Sequence, residues 1–454
     1  MKKFVSLSLP FLVLTVLISA EAPKPGVDRS PFGAQTVWPS DPDLVTILDR
    51  MQQAGIKWTR FEICWWGLCE TQKGVYNFTS PDVAGWESWN ADRAVALLQQ
   101  RDIEPFCILC YGNELYDNGE GPYSEEGRKA FGNYCYEAAK RYKDSISYWE
   151  IWNEPNLEFF WSRTPDPVDY TKLVKVAAKR IREANPNAVI AGGATSGVDF
   201  SFLETCFQNG MLEVVDIVTV HPYRSKGPES FNQDLAVVRN KIKAHTQRPV
   251  KVWTGEWGYN TYVHKLSENG QAKCLARMMV NNLSQGVELS IWFSTHAFPE
   301  SSGEIRDPEW GLLDYDYNPR PSFYAMQTLN KRMAAPIKSI PDPFSIEIAP
   351  ALQNQRVEVF ERDEGASYTV ALWTERWPVS DSFTGDIVTV KISVPAETAI
   401  HAYDSLTDNA FLLDIEREKD QIVLQNFRIY DYPILLEIAL PEKADKKSEG
   451  FIVH

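Results

Sequence analysis

Two glutamates define the chemistry this chain is equipped to attempt. The segment Tyr148-Trp-Glu-Ile-Trp-Asn-Glu-Pro-Asn156 is an apolar run that ends in Asn153-Glu154, and Pro155 then blocks further strand pairing. A second apolar run, Val252-Trp-Thr-Gly-Glu-Trp-Gly-Tyr259, ends in Glu256 behind Gly255, a residue that lets backbones approach closely. A carboxylate set in an apolar wall loses hydration, so neither acid sits there without cost. Desolvation by Trp149 and Trp152 would raise the pKa of Glu154 and leave it protonated near neutrality, the state a general acid needs. A second carboxylate facing it would attack an acetal carbon or activate a water. The choice depends on spacing: about 5–5.5 Å for direct attack and about 6.5–9.5 Å when water stands between.

The elements that must position these acids are legible from residue 31 to about 334. Short apolar runs alternate there with longer segments of helical period. The expected strands are Phe32–Val37, Lys57–Cys64, Glu104–Tyr111, Ser147–Trp152, Val189–Gly193, Val215–His221, Lys251–Trp257 and Glu288–Thr295. Most are rich in Val, Ile, Trp and Phe and lack clean alternation, as parallel strands covered on both faces do. Between them, Tyr170, Leu173, Val174, Ala177, Ala178 and Ile181 mark one helical stripe. Leu44, Leu48 and Met51 mark another, closed by Gly55. Asp144, Asn185, Gly210 and Gly286 punctuate the approaches to later strands. Eight strand–helix units in series imply an α/β fold, a closed (β/α)8 or TIM barrel over residues 31–334, rather than an open doubly wound sheet. Glu154 and Glu256 then end strands four and seven, at the face where such barrels carry their sites.

Near Met333-Ala-Ala-Pro336 the pattern changes. Prolines 336, 341, 343 and 350 interrupt helices, and Arg356–Phe360, Tyr368–Trp373, Ile387–Val394, Ile422–Leu424 and Ile434–Leu440 read as short strands. An all-β sandwich over 338–440 is expected, followed by a polar tail over 441–454. At the other end, Met1-Lys2-Lys3, an apolar run from Phe4 to Ala20 and the small-residue exit Ala20-Glu21-Ala22 have the layout of a signal peptide over 1–22. The expected location is therefore secreted or periplasmic.

Lys plus Arg number 46 against 61 acidic residues, a net charge of −15. Such a chain repels nucleic acid and anionic lipid, so neutral or cationic partners fit better. The seven cysteines leave at least one thiol unpaired within the chain. Cys107-Ile-Leu-Cys110 copies a zinc spacing but lies in an apolar run with no second pair and no nearby histidine pair, so a buried strand is expected and no metal site.

WEIWNEPN and WTGEWG resemble the acid/base and nucleophile motifs of clan A retaining glycoside hydrolases. The stretch WEIWNEPNLEFFWSRTPDPVDYTKL…NPNAVIAGGATSG…VDIVTVHPY is similar to glycoside hydrolase family 39 and its unclassified relatives. The likeness runs over about residues 31–334 and includes RFEICWWGLCETQKGVYNF and GLLDYDYNPRPSFYA. It implies Glu154 as acid/base and Glu256 as nucleophile. Asn153 resembles the residue that hydrogen-bonds the sugar 2-hydroxyl. Arg60 and Tyr223 match positions that hold the nucleophile ionised, His221 a position near the acid/base, and Trp292 a sugar-stacking platform. Many clan members carry His at the end of strand three, where this chain has Tyr111-Gly-Asn113; with Tyr111 and Asn113 the chain departs there from the clan's subsite facing the −1 sugar. Trp65, Trp66, Phe159, Phe160, Trp161, Trp257 and Trp310 fall in expected loops or strand ends, to line subsites or to pack. The implied activity is cofactor-free, retaining hydrolysis of a β-linked neutral oligo- or polysaccharide, a β-xyloside or β-glucan. A transglycosylase on the same scaffold and a non-catalytic carbohydrate-binding protein are the alternatives.

Overall fold

The structure, a computed structural model, describes residues 29–36, 41–79, 89–297, 310–341 and 343–441. The expected signal peptide, Val37 and the tail beyond residue 441 lie outside the described residues.

Eight parallel strands close on themselves in sequence order. They are β1 (Phe32–Gln35), β2 (Trp58–Cys64), β3 (Glu104–Cys110), β4 (Tyr148–Ile151), β5 (Val189–Ser196), β6 (Ile217–His221), β7 (Lys251–Trp257) and β8 (Ser290–Trp292). Each overlaps its expected segment. β8 is shorter than expected: its register with β7 shifts between Ser290 and Trp292, and the chain then leaves the wall. β5 is longer, carried past a similar shift between Gly193 and Thr195 to Ser196.

Residues two apart on a strand share a face, which gives the barrel interior its layers. Trp58, Phe106, Tyr148, Ala191, Ile217, Trp253, Leu289 and Ile291 form one apolar cluster, with Trp58 packed edge-on against Tyr148 and Trp253 at 5.0 and 6.1 Å. One rung nearer the C-terminal ends, the same faces carry Arg60, Glu150 and Thr219, and the next rung carries Glu62 and His221. An apolar plug thus supports a polar upper half. Around the barrel, the helix Pro167–Ala184 buries all six residues of its stripe. Its start is fixed by Asp166, whose side chain accepts from the Val168 and Asp169 amides, and by Pro167 in the first turn. The helix Asp41–Gln53 buries Leu44, Leu48 and Met51 and gives way to Gly55 at φ +67°.

The C-terminal region holds two antiparallel sheets. Six strands run in the order β9 (Lys338–Ser339), β11 (Gln355–Arg362), β12 (Ser367–Thr374), β18 (Ile434–Ala439), β14 (Ala399–Asp404) and β15 (Ala410–Phe411). Four run in the order β10 (Ile346–Ala349), β13 (Asp386–Ile392), β17 (Gln421–Ile429) and β16 (Asp414–Glu418). Ile434, Leu436 and Ile438 enter the core between the sheets, while Leu435 joins Phe360, Ala371 and Trp373 against the barrel. Polar contacts tie the two parts together. Arg277 meets Glu229 at 2.6 Å and donates to the Arg376 carbonyl, Trp373 Nε1 donates to Glu229 at 2.8 Å, and Lys273 meets Asp431 at 2.9 Å.

All seven cysteines are buried free thiols, and Cys107 and Cys110 lie within β3 as expected. No helix among the described residues is long and apolar enough to cross a membrane.

Candidate active site

Glu154 and Glu256 meet at the C-terminal mouth of the barrel. A carboxylate oxygen of each and a ring nitrogen of His221 all lie within 4.8 Å of one another. Glu154 follows β4 at φ +45°, its amide held by the Ala194 carbonyl at 2.9 Å. Trp152 and Tyr111, at the ends of β4 and β3, also take positive φ, +71° each. Three non-glycine residues in the left-handed region around one mouth concentrate backbone strain where the side chains must be aimed.

The two acids differ in surroundings. Burial pushes the Glu154 carboxyl up to about 7, against smaller opposing effects of Ser196 and Arg60. His221 Nδ1 stands 3.0 Å from Glu154 Oε1, and burial lowers the imidazole to about 4, so the ring is neutral near pH 7. Glu256 accepts from Arg60 Nη1 at 2.6 Å on one oxygen and from the Tyr223 hydroxyl at 2.8 Å on the other. The backbone at Gly255 faces the interior: a Cβ there would meet Glu150 Oε1 at 3.1 Å.

Arg60 organises the floor. It is fully buried; Nε donates to Glu150 Oε2 at 2.6 Å, Nη1 to Gln35 Oε1 at 2.8 Å as well as to Glu256, and Nη2 to Asn153 Oδ1 at 2.9 Å. Burial works against its charge, but Glu150 and Glu256 outweigh it and raise the guanidinium pKa. With Oδ1 of Asn153 occupied by Arg60, Nδ2 is the atom it can offer to a ligand hydroxyl.

Three residues of this constellation were not among the sequence candidates. Glu150 accepts from Arg60 and from Thr219 Oγ1 at 2.5 Å. Gln35 supplies the acceptor from β1. Glu62 packs deep in the mouth yet keeps some solvent contact; it accepts from the Tyr111 hydroxyl at 3.2 Å, and burial raises its carboxyl pKa. The signal for Glu62 and Glu150 was present: each lies two residues from a polar or aromatic member of the inward face of its strand.

The remaining candidates divide. Tyr111 joins the mouth. Asn113 is tied into the loops, donating to the Trp65 and Glu70 carbonyls at 3.1 and 2.8 Å and accepting from the Leu115 amide. Trp292 is fully buried, its indole N–H on the Trp310 carbonyl at 3.1 Å, and Trp310 is the half-exposed ring at that rim. Trp65, Trp161 and Trp257 are core residues, whereas Trp66 and Phe160 are half-buried and Phe159 is exposed.

Glu62, Cys64 and Cys110 also bring potential ligand atoms within 4.8 Å of one another. Cys64 Sγ lies 3.6 Å from Glu62 Oε2 as a weak donor.

Residues 134–337 match the family model described as Glycosyl hydrolases family 39. A beta-xylosidase of Caldicellulosiruptor saccharolyticus is 27% identical over 281 residues, 54% of this chain and 56% of that protein. Another beta-xylosidase, of Geobacillus stearothermophilus, is 26% identical over 212 residues, 40% of each chain. The chain thus spans about half the length of the curated relatives it matches. A solved family 39 glycoside hydrolase from Bacteroides cellulosilyticus WH2 shares the fold with a TM-score of 0.70 at 19% identity, over 92% of this chain and 81% of that one. The matched span holds Asn153, Glu154, His221, Tyr223, Glu256 and Trp292, whereas Arg60, Glu62, Tyr111 and Asn113 precede it. Residues 134–337, which include strands β4 to β8 of the barrel, are thus similar to glycosyl hydrolases family 39.

Proposed function

We propose that this protein is a retaining O-glycoside hydrolase acting on β-linked bonds of a neutral glycan, a β-xyloside or β-glucan. The observation that carries the reading is the approach of Glu154 and Glu256 oxygens to within 4.8 Å. That closeness suits direct attack, at about 5–5.5 Å between carboxyl groups, better than the water-mediated route at about 6.5–9.5 Å.

Glu256 attacks the anomeric carbon while the proton of Glu154 passes to the departing oxygen, giving a covalent glycosyl-enzyme and a free alcohol. Glu154, now a carboxylate, takes a proton from water as that water displaces Glu256, and the sugar leaves with its configuration retained. A carboxyl with a pKa of about 7 serves both halves of this cycle. Arg60 and Tyr223 fix both oxygens of Glu256, so the attacking atom needs little reorganisation. Asn153, held by Arg60, offers its amide to a sugar hydroxyl.

Neutral substrates are favoured by the charge around the mouth. Arg60 is engaged by Glu150 and Glu256, and Glu62 adds a further acid, which leaves poor accommodation for a uronate. The xyloside preference draws on the beta-xylosidases to which the chain is similar. Release of sugar from a panel of β-xylosides, xylan, and β-1,3, β-1,4 and mixed-linkage glucans tests the reading. Turnover of at least one is expected, and none with any member would refute it.

A further inference from the structure

We propose that Phe160 and Phe159, with Tyr111 packed behind Phe160, form a ladder of rings that binds the leaving-group side of the substrate, a second and third sugar of the chain being cut. The proposal rests on Glu154 being the acid.

The loop after β4 is built to hold these rings out. The Leu157 amide donates to the Glu154 carbonyl at 3.0 Å, and the Phe160 and Trp161 amides donate to the Leu157 carbonyl at 3.2 and 2.9 Å. This single helical turn, Glu158–Trp161, is anchored by Trp161, which is fully buried and packs edge-on against Trp152 at 4.9 Å. Gly121 lies flat on the Trp161 ring, where a Cβ would fall 2.5 Å from it, and the Gly121 amide donates to the Trp161 carbonyl at 2.8 Å. With Trp161 turned inward, the two preceding side chains face outward.

The rings are continuous from the mouth to the surface. Tyr111, whose hydroxyl reaches Glu62, stacks on Phe160 at 6.2 Å with planes 19° from parallel. Phe160 meets Phe159 edge-on at 4.9 Å, and Phe159 is 84% exposed. An apolar ring left in water at the edge of a cleft gains by being covered, and a pyranose presents flat C–H faces to such rings. The turn that carries the rings hangs from the Glu154 carbonyl, next to the acid that protonates the departing oxygen. On that adjacency the ladder is assigned to the departing portion of the glycan.

The test compares substrates that share a glycone and differ in what leaves. Parent, Phe159→Ala and Phe160→Ala are assayed on β-xylosyl and β-glucosyl fluorides, whose leaving group is one atom, and on the corresponding end-labelled oligosaccharides of two to four sugars. Each alanine variant should lower the ratio of oligosaccharide to fluoride kcat/KM by about tenfold, a change of about 1.4 kcal/mol. Most of the loss should lie in KM. Leu412→Ala, which removes a fully exposed side chain from the sandwich, should keep the parent ratio. An unchanged ratio in both phenylalanine variants overturns the ladder, as does a loss confined to sugars added on the glycone side. Absence of fluoride turnover by the parent would instead strike the catalytic reading itself.

Discussion

His221 Nδ1 and Glu154 Oε1 stand 3.0 Å apart inside the barrel mouth, one a ring that burial keeps neutral, the other an acid that burial keeps protonated to about pH 7. A general acid works only while it holds its proton, so activity must fall as pH rises through that value. The expected kcat/KM profile has an alkaline limb near pH 7. In Glu154→Gln, assayed with a glycosyl fluoride that needs little protonation, that limb should vanish. A limb that survives the substitution would assign it to another group.

Arg60 should be more costly to remove than its single position implies. Arg60→Met leaves Glu150 buried without its cation, a situation worth about 3–5 kcal/mol of stability. Denaturant unfolding should show this loss, and the double variant Arg60→Met/Glu150→Leu should regain most of it while remaining inactive. Stability unaffected by Arg60→Met would mean that Glu150 does not depend on the guanidinium.

Tyr223→Phe removes one of the two donors seen on Glu256. A hydrogen bond to a charged group is worth about 1.5–3 kcal/mol, so kcat should fall roughly tenfold to hundredfold with the fold intact. Circular dichroism and steady-state kinetics on the same preparation decide the matter. A rate within twofold of the parent would remove Tyr223 from the site.

The contact between barrel and sandwich carries its own pH dependence. Burial opposes ionisation of Glu229, but Arg277 outweighs it and holds the carboxyl below its usual range. A carboxyl whose folded pKa is depressed stabilises the fold above its unfolded pKa and loses that contribution as pH falls through the folded value. The stability deficit of Glu229→Gln relative to the parent, full at neutral pH, should therefore shrink as pH falls through the acid range. Parallel stability–pH curves for parent and variant below pH 5 would contradict this role.

How much of this was legible in the sequence follows from the physics of each element. The barrel strands announced themselves because both faces are buried and the runs are continuously apolar. The sandwich was read in part. Asp414–Glu418 escaped because it is an exposed edge strand, four of whose five residues are charged. Ala399–Asp404 escaped because its two buried positions, Ile400 and Ala402, alternate with exposed Ala399 and His401 and offer only one bulky apolar residue. At the site, Glu154 and Glu256 stood out at strand ends. Glu150 did not, because a charge inside an apolar strand becomes intelligible only once Arg60, ninety residues earlier, is brought beside it. Trp292 shows the converse: its place on β8 was legible, but its complete burial depends on the packing around Trp310.

The most direct measurement is proton NMR of the first sugar released, before mutarotation mixes the anomers. Attack by Glu256 followed by water predicts that the β-anomer appears first from a β-linked substrate. The α-anomer appearing first would contradict the double displacement and the roles given to both glutamates.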